Sequence, residues 1–198
     1  MDVFVPKYWP FFATAERRVF RYRQEGDPKV QFSSVFSFDA ASNSMLCVDA
    51  NADGVWTDTW WLQYRPGFGL AEWRDTYPKG KVETYTTPIG WGEVQTIGTV
   101  YRNKPRVNVF RTWPPTLPLT GSQQVSFEAL LDEFTLRDGT VYRDVLQMFY
   151  QQTWGRTSGG RYWMAAGVGP VAVQWAAPNA AGTGLDVTDR YDAEVTSA

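Results

Sequence analysis

Apolar and polar positions alternate along most of this chain in runs of a few residues, the period of a strand with one buried face. Such runs cover Arg18–Gln24, Lys29–Phe38, Ser44–Asp49, Val55–Arg65, Gly69–Thr76, Lys81–Thr86, Gly92–Tyr101, Arg106–Trp113, Phe127–Arg137, Val141–Trp154, Arg161–Ala166 and Pro170–Trp175. Turn-forming residues separate them, and the Asp138-Gly139 pair between two β-patterned runs is the strongest hairpin signal. Helical periodicity is nearly absent: Thr14–Arg18 fits a short turn, and Phe127–Phe134 fits either a strand or a helix. The segment Trp113-Pro114-Pro115-Thr116-Leu117-Pro118 lacks backbone donors at its prolines and predicts an extended crossover between two groups of strands.

The fold class that follows is all-β: a strongly curved antiparallel sheet, a half-barrel or near-closed barrel, of about 10–12 strands. Residues 1–175 are expected to form a single β domain. Residues 176–198, rich in Ala, Gly, Thr and Asp, read as a loosely ordered C-terminal arm. Along Val55–Tyr64, one strand face carries Trp56, Trp60 and Leu62, and the other carries Val55, Thr57, Thr59, Trp61 and Gln63. Aromatic surface on both faces fits a covered central strand, or a strand that packs on a core and lines a pocket with its other face.

Composition narrows the chemistry. The 198 residues include ten tryptophans and no histidine. Zinc clusters and histidine-based triads therefore cannot be built, whereas carboxylate, tyrosine and shape-based catalysis stay open. A formal net charge of −2 without runs of like charge gives no electrostatic footprint for nucleic acid. No apolar stretch approaches the ~20 residues of a membrane-spanning helix, so no transmembrane segment is expected. The lone Cys47 lies in the apolar run Met45-Leu46-Cys47-Val48 and reads as a buried, inert thiol. It leaves location undecided between the cytoplasm and, if a leader preceded Met1, an extracytoplasmic space.

Several segments, taken in order, resemble a group of bacterial extracytoplasmic proteins, often lipoproteins. The likeness is to the open half-barrel of the periplasmic lipoprotein carriers. The segments are Tyr8-Trp9-Pro10-Phe11 followed by Val19-Phe20-Arg21-Tyr22, the hairpin Tyr64–Leu70, the crossover Trp113–Leu119, the hairpin Asp138–Val145, and Tyr162–Val171 with its Gly-Val-Gly element. The resemblance implies a noncatalytic sheet that holds a ligand or partner on a hydrophobic face. The chain departs from it in lacking a lipobox cysteine and in the insertion around Asp49–Asp58.

Three constellations could carry chemistry. Asp49-Ala50-Asn51-Ala52-Asp53-Gly54-Val55-Trp56-Thr57-Asp58 has the front half of a calcium loop, with Asp49, Asn51, Asp53, the Val55 carbonyl and Asp58 as oxygen donors for Ca²⁺. Trp60 stands where an EF-hand needs glutamate, and the same residues also suit a tight β-turn. Otherwise no cofactor is expected. Glu72 and Glu93, with Glu83 third, lie near tryptophans and are the candidate catalytic carboxylates, with cross-strand ion pairing as the alternative. The candidate ligand-binding set is Trp56, Trp60, Trp61, Trp73, Trp91 and Arg74, with Trp113 and Trp163 as further aromatics and Arg65, Arg102 and Arg143 as further anchors for an anionic head. The leading expectation is noncatalytic binding of a small apolar or amphipathic molecule, or of a protein partner. The alternatives are an enzyme acting in an aromatic-lined cleft, on glycans or as a cyclase or isomerase, and a tryptophan-based glycan-binding module.

Overall fold

The structure is a computed structural model that describes residues 1–9, 17–39, 41, 44–67, 69–103, 106–110, 119–153, 158–180 and 185–197. Of these, residues 39, 70–73, 85–91, 103, 106–110 and 119–120 are described as backbone only. The prolines of the expected crossover fall outside the described residues.

The strands are β1 (Asp2–Phe4), β2 (Arg18–Gln24), β3 (Phe32–Asp39), β4 (Ser44–Asn51), β5 (Trp56–Arg65), β6 (Gly69–Thr76), β7 (Val82–Trp91), β8 (Val94–Thr96) and β9 (Val100–Asn103). They continue as β10 (Arg106–Phe110), β11 (Leu119–Thr120), β12 (Gln123–Thr135), β13 (Val141–Gln152), β14 (Ser158–Ala165), β15 (Gly169–Pro178), β16 (Leu185–Val187) and β17 (Tyr191–Ser197). One 15-stranded antiparallel sheet runs β11-β10-β7-β6-β5-β4-β3-β2-β17-β15-β14-β13-β12-β9, with β16 on β15. The sheet curls without closing, although β7 and β9 approach each other near its two ends.

The all-β curved sheet is as the alternation predicts, and β2 and β6 keep the predicted limits. The strand number is higher than expected for three reasons, the first being the short strands β1 and β11, which no alternating run announces. The run Gly92–Tyr101 splits into β8 and β9, because residues 97–99 turn to bond elsewhere: Ile97 N–H donates to the Met1 carbonyl and Gly98 N–H to the Phe127 carbonyl. The C-terminal residues also join the sheet. The expected loose arm is corrected here: β17 pairs with β2 along its whole length and with β15 at Tyr191 and Asp192. Its alternation of Tyr191, Ala193 and Val195 with Asp192, Glu194 and Thr196 lets one face pack on the core.

Phe127–Phe134, ambiguous between strand and helix, belongs to β12. The β12–β13 hairpin turns at Asp138-Gly139. Gly139 takes φ 89°, a region that favours glycine, and the Asp138 carboxylate accepts from Thr140 N–H.

Alternation gives β13, β14 and β15 two buried faces. Leu146, Met148, Met164 and Val173 enter the main core inside the curl with Phe20, Tyr22, Phe36, Met45, Cys47 and Leu62. Val145, Trp163, Ala165, Val171 and Ala172 form a second cluster with Leu136, where Phe134 stacks on Trp163 at 5.4 Å. The N-terminal residues plug the main core. A 3₁₀ turn over Val5–Tyr8 delivers Val5, Tyr8 and Trp9 into it, and Asp144 anchors that turn by accepting from Lys7 Nζ at 2.8 Å and Tyr8 Oη at 2.7 Å. Trp9 is thereby fixed against Trp60, edge to face, with ring centroids 6.1 Å apart.

Candidate functional site

Inside the curl lies a cavity of about 290 Å³, walled on one side by β3–β6 and on the other by β13–β15. Its surface is mostly aromatic. Trp9, Trp60 and Phe36 form one chain of edge-to-face contacts, with Trp60 and Phe36 centroids 5.7 Å apart. Tyr22, Phe32, Trp175 and Tyr162 form a second chain of ring contacts, with Tyr22 stacked on Phe32 at 4.5 Å and Tyr162 edge to face with Trp175. Trp175 is the most exposed of these rings, at 38%, and marks the rim. Gly159 also lines the cavity, and β13 comes so close to it that a Cβ there would run into the Tyr150 carbonyl oxygen.

Acidic side chains occupy the β4–β7 wall in consecutive strands. Asp49 of β4 is paired in register with Asp58 of β5, and Asp75 of β6 with Glu83 of β7. Asp75 also faces Trp60, the inward neighbour of Asp58. Asp49, Asp58 and Asp75 line the cavity, and no Lys or Arg is among the described residues that line it. Asp49 is held by neutral donors. Ser34 Oγ donates to Asp49 Oδ1 at 2.5 Å, Cys47 Sγ to the same oxygen at 3.4 Å, and Trp60 Nε1 to Asp49 Oδ2 at 3.1 Å. Tyr77 Oη lies 3.0 Å from Asp75 Oδ2 and 3.4 Å from Glu83 Oε2. Glu83 meets Lys81 Nζ at 2.6 Å, and that ammonium also lies over the Tyr77 ring. Asp58 Oδ1 is shut off from solvent with no hydrogen-bond partner.

Electrostatics follow from burial among like charges. Withdrawal from water, reinforced by Asp75 and Asp49, pushes the Asp58 carboxyl up to about 8. Burial also raises Asp49, against the pull of its bonds from Ser34, Trp60 and Cys47. The Tyr77 hydroxyl is held far above its usual range by burial and then by Asp75, Asp58 and Glu83. Burial does the same to the Cys47 thiol, which is therefore a neutral, inert group as its apolar run predicts. The wall thus offers the Asp58 carboxyl in its protonated form as a donor at neutral pH.

The structure divides the predicted site residues. Trp60 lines the cavity together with Asp49 and Asp58. Trp56, by contrast, is 40% exposed with its Nε1 on Thr59 Oγ1, and Trp61 lies against Arg74, 5.0 Å from guanidinium carbon to ring centroid. Trp163 belongs to the second cluster. The arginine anchors do not line the cavity: Arg65 donates to Gln63, Arg143 pairs with Glu133, Arg102 is exposed, and Arg74 meets Trp61. Glu93 is likewise spent elsewhere, its carboxylate accepting from the Tyr64 hydroxyl and, at 2.9 Å, from Gly67 N–H, which latches the β5–β6 hairpin. The side chains of Glu72, Trp73 and Trp91, and all of Trp113, fall outside the described residues.

The calcium-loop residues are also split. Asn51 Oδ1 accepts from the Asp53 and Val55 N–H groups as a turn residue does, and Asp53 is exposed, while Asp49 and Asp58 point to the cavity. Among the described residues no group of three or more His, Cys, Asp or Glu could hold a metal ion. Among the lining residues that sequence reasoning missed are Trp9, Tyr22, Tyr77, Asp75 and Trp175. For Asp75 and Tyr77 a signal existed, since both fall in the alternate positions that follow Trp73. No helix among the described residues is long and apolar enough to cross a membrane. Comparison with protein families, curated proteins and solved structures finds no match to this chain.

Proposed function

We propose that this protein encloses a small apolar or amphipathic molecule in the cavity between β3–β6 and β13–β15. The observation that carries the reading is the cavity itself, about 290 Å³ of largely aromatic surface with a few polar groups gathered on one wall. Ligand sites have this character, and the volume lies just below their usual range of about 300–1,000 Å³, which suits a small occupant. The reading keeps the ligand-holding role implied by the resemblance to lipoprotein carriers and moves the polar anchor from arginines to aspartates. Trp9, Trp60 and Trp175 line the space, so an occupant should quench tryptophan emission.

Titration with the neutral probe N-phenyl-1-naphthylamine tests this. Saturable probe enhancement is expected, together with loss of binding when Ser34→Leu fills the space and retention in Trp56→Phe, which lies outside the lining. Absence of saturable binding, or indifference to Ser34→Leu in a folded variant, would overturn the reading.

Catalysis on such an occupant is the second reading, favoured by the Asp58 carboxyl, which exchanges its proton near neutral pH beside Asp49 and Asp75. Its mark would be product formed from a bound compound by the wild type and not by Asp58→Asn, with binding retained.

A further inference from the structure

We propose that the occupant is a flat aromatic ring system rather than an alkyl chain, held against Trp60 on one wall and Trp175 on the other. The inference rests on the cavity-binding reading above and specifies its ligand. Its starting point is the make-up of the lining. Aromatic rings there outnumber the aliphatic side chains, which are Leu62, Met148, Pro170 and Val173. The rings come from both walls: Phe32, Phe36 and Trp60 from β3 and β5, and Tyr150, Tyr162 and Trp175 from β13, β14 and β15.

The rings are also pinned. Trp60 meets Trp9 and Phe36 edge to face, at interplanar angles of 88° and 83°, and donates from Nε1 to Asp49 Oδ2 at 3.1 Å. Trp175 touches Phe32 at 5.6 Å and Tyr162 at 5.9 Å between centroids. Its ring also rests so close on Gly160 that a Cβ there would stand 3.2 Å from it. Tyr22 is stacked on Phe32, and its hydroxyl donates to the Pro170 carbonyl at 2.9 Å. The hydroxyls of Tyr150 and Tyr77 donate to Gln152 and Asp75. These tyrosines spend their donors within the protein and meet an occupant chiefly with ring carbon.

A lining fixed in this way has one shape, which a guest must match rather than mould. A fused ring system enters with no internal rotation to lose, and its faces and edges suit offset and edge-to-face contact with the rings already there. An alkyl chain gives up free rotations on entry and finds few aliphatic side chains to pack on. Trp175 stands at the rim, where an entering guest meets it first, and Trp60 stands against Trp9 deeper in the core. The cavity of about 290 Å³ is enough for a fused pair of rings.

Calorimetric titration of the full chain with three alcohols of equal carbon count provides the test: 2-naphthylmethanol, its saturated counterpart decahydro-2-naphthylmethanol, and the open-chain 1-undecanol. Their shared hydroxymethyl group cancels any bond to the polar wall. 2-Naphthylmethanol is expected to bind at least about tenfold more tightly than the saturated ring, with 1-undecanol weakest although it is the most hydrophobic. Trp175→Leu should cut 2-naphthylmethanol affinity about fivefold and leave the saturated ring within about twofold, and Trp175→Phe should restore most of the loss. Thermal melts check that both variants fold, and the wild-type comparison decides on its own if one does not. Equal binding of the flat and saturated rings, an order that follows hydrophobicity, or 2-naphthylmethanol binding unchanged in Trp175→Leu overturns the aromatic proposal and leaves the cavity reading standing. Binding of N-phenyl-1-naphthylamine with none of the three alcohols has the same meaning. Failure of that probe as well removes both.

Discussion

Glu128 on the outer face of β12 and Asp58 on the inner face of β5 are acidic side chains partly withdrawn from water in one continuous sheet. Burial alone would raise both. At Glu128 it is outweighed by Arg161, which holds both carboxylate oxygens at 2.7 and 3.0 Å, and by Gln147 at 2.8 Å, so the group is held below its ordinary range. At Asp58 no cation among the described residues answers, and Asp75 and Asp49 add to burial, so the group is driven up to about 8. The first arrangement is what a sheet does with an acid that serves only the fold. The second costs stability, and such costs are concentrated where a molecule does its work.

Four variants can break or sharpen that contrast. The largest effect should come from Asp58→Asn. With its folded value raised from 3.8 to about 8, Asp58 binds more protons in the folded than in the unfolded chain across that window. Wild-type stability should therefore fall as pH rises through it, with a slope of up to about 1.4 kcal/mol per pH unit, and the variant should be roughly 2–3 kcal/mol more stable at about pH 9 after solvent screening. Urea unfolding at several pH values measures this, and a variant less stable than wild type at high pH would undo the contrast.

Gly159→Ala strikes the scaffold wall, where the new Cβ would run into the Tyr150 carbonyl oxygen. A loss of about 2 kcal/mol or more is expected in thermal or urea melts. Glu128→Gln should cost about 1 kcal/mol at neutral pH. The pair's contribution is present above the usual carboxylate range and is lost as pH falls through the depressed value, so wild type and variant should converge in acid. Glu93→Gln should have the smallest effect, about 0.5–1 kcal/mol from the hairpin latch, with probe binding unchanged. Loss of binding in that variant would return Glu93 to the site.

Much of the fold was legible because strand alternation is local. The limits of β2 and β6, the Asp138-Gly139 hairpin and the curved all-β class follow from neighbours in sequence. What escaped depends on distant partners. β17 has a readable alternation in Tyr191, Ala193 and Val195, but its small, weakly apolar residues become a core strand only when β2 and β15 flank them. Trp9 leaves a 3₁₀ turn with no periodicity, so nothing local shows that it enters the cavity. At Asp58 the alternation that turns Trp60 and Leu62 inward also turns a carboxylate inward. An inward charge runs against the usual rule of burial, and the calcium-like spacing of Asp49, Asn51 and Asp53 suggests a different use for it.

The pairing of β17 with β2 has a kinetic consequence. Ser197 lies opposite Arg18, so the middle of the sheet is joined by residues from nearly opposite ends of the described chain. The meander β2–β7 and the meander β12–β15 can each zip up from near neighbours. Their union across β17 waits on a very long loop closure, the kind of non-local contact that slows folding. During synthesis the β2 edge must remain unpaired until residues 191–197 emerge. In that interval it is an open strand edge at which a chaperone or another nascent chain can add.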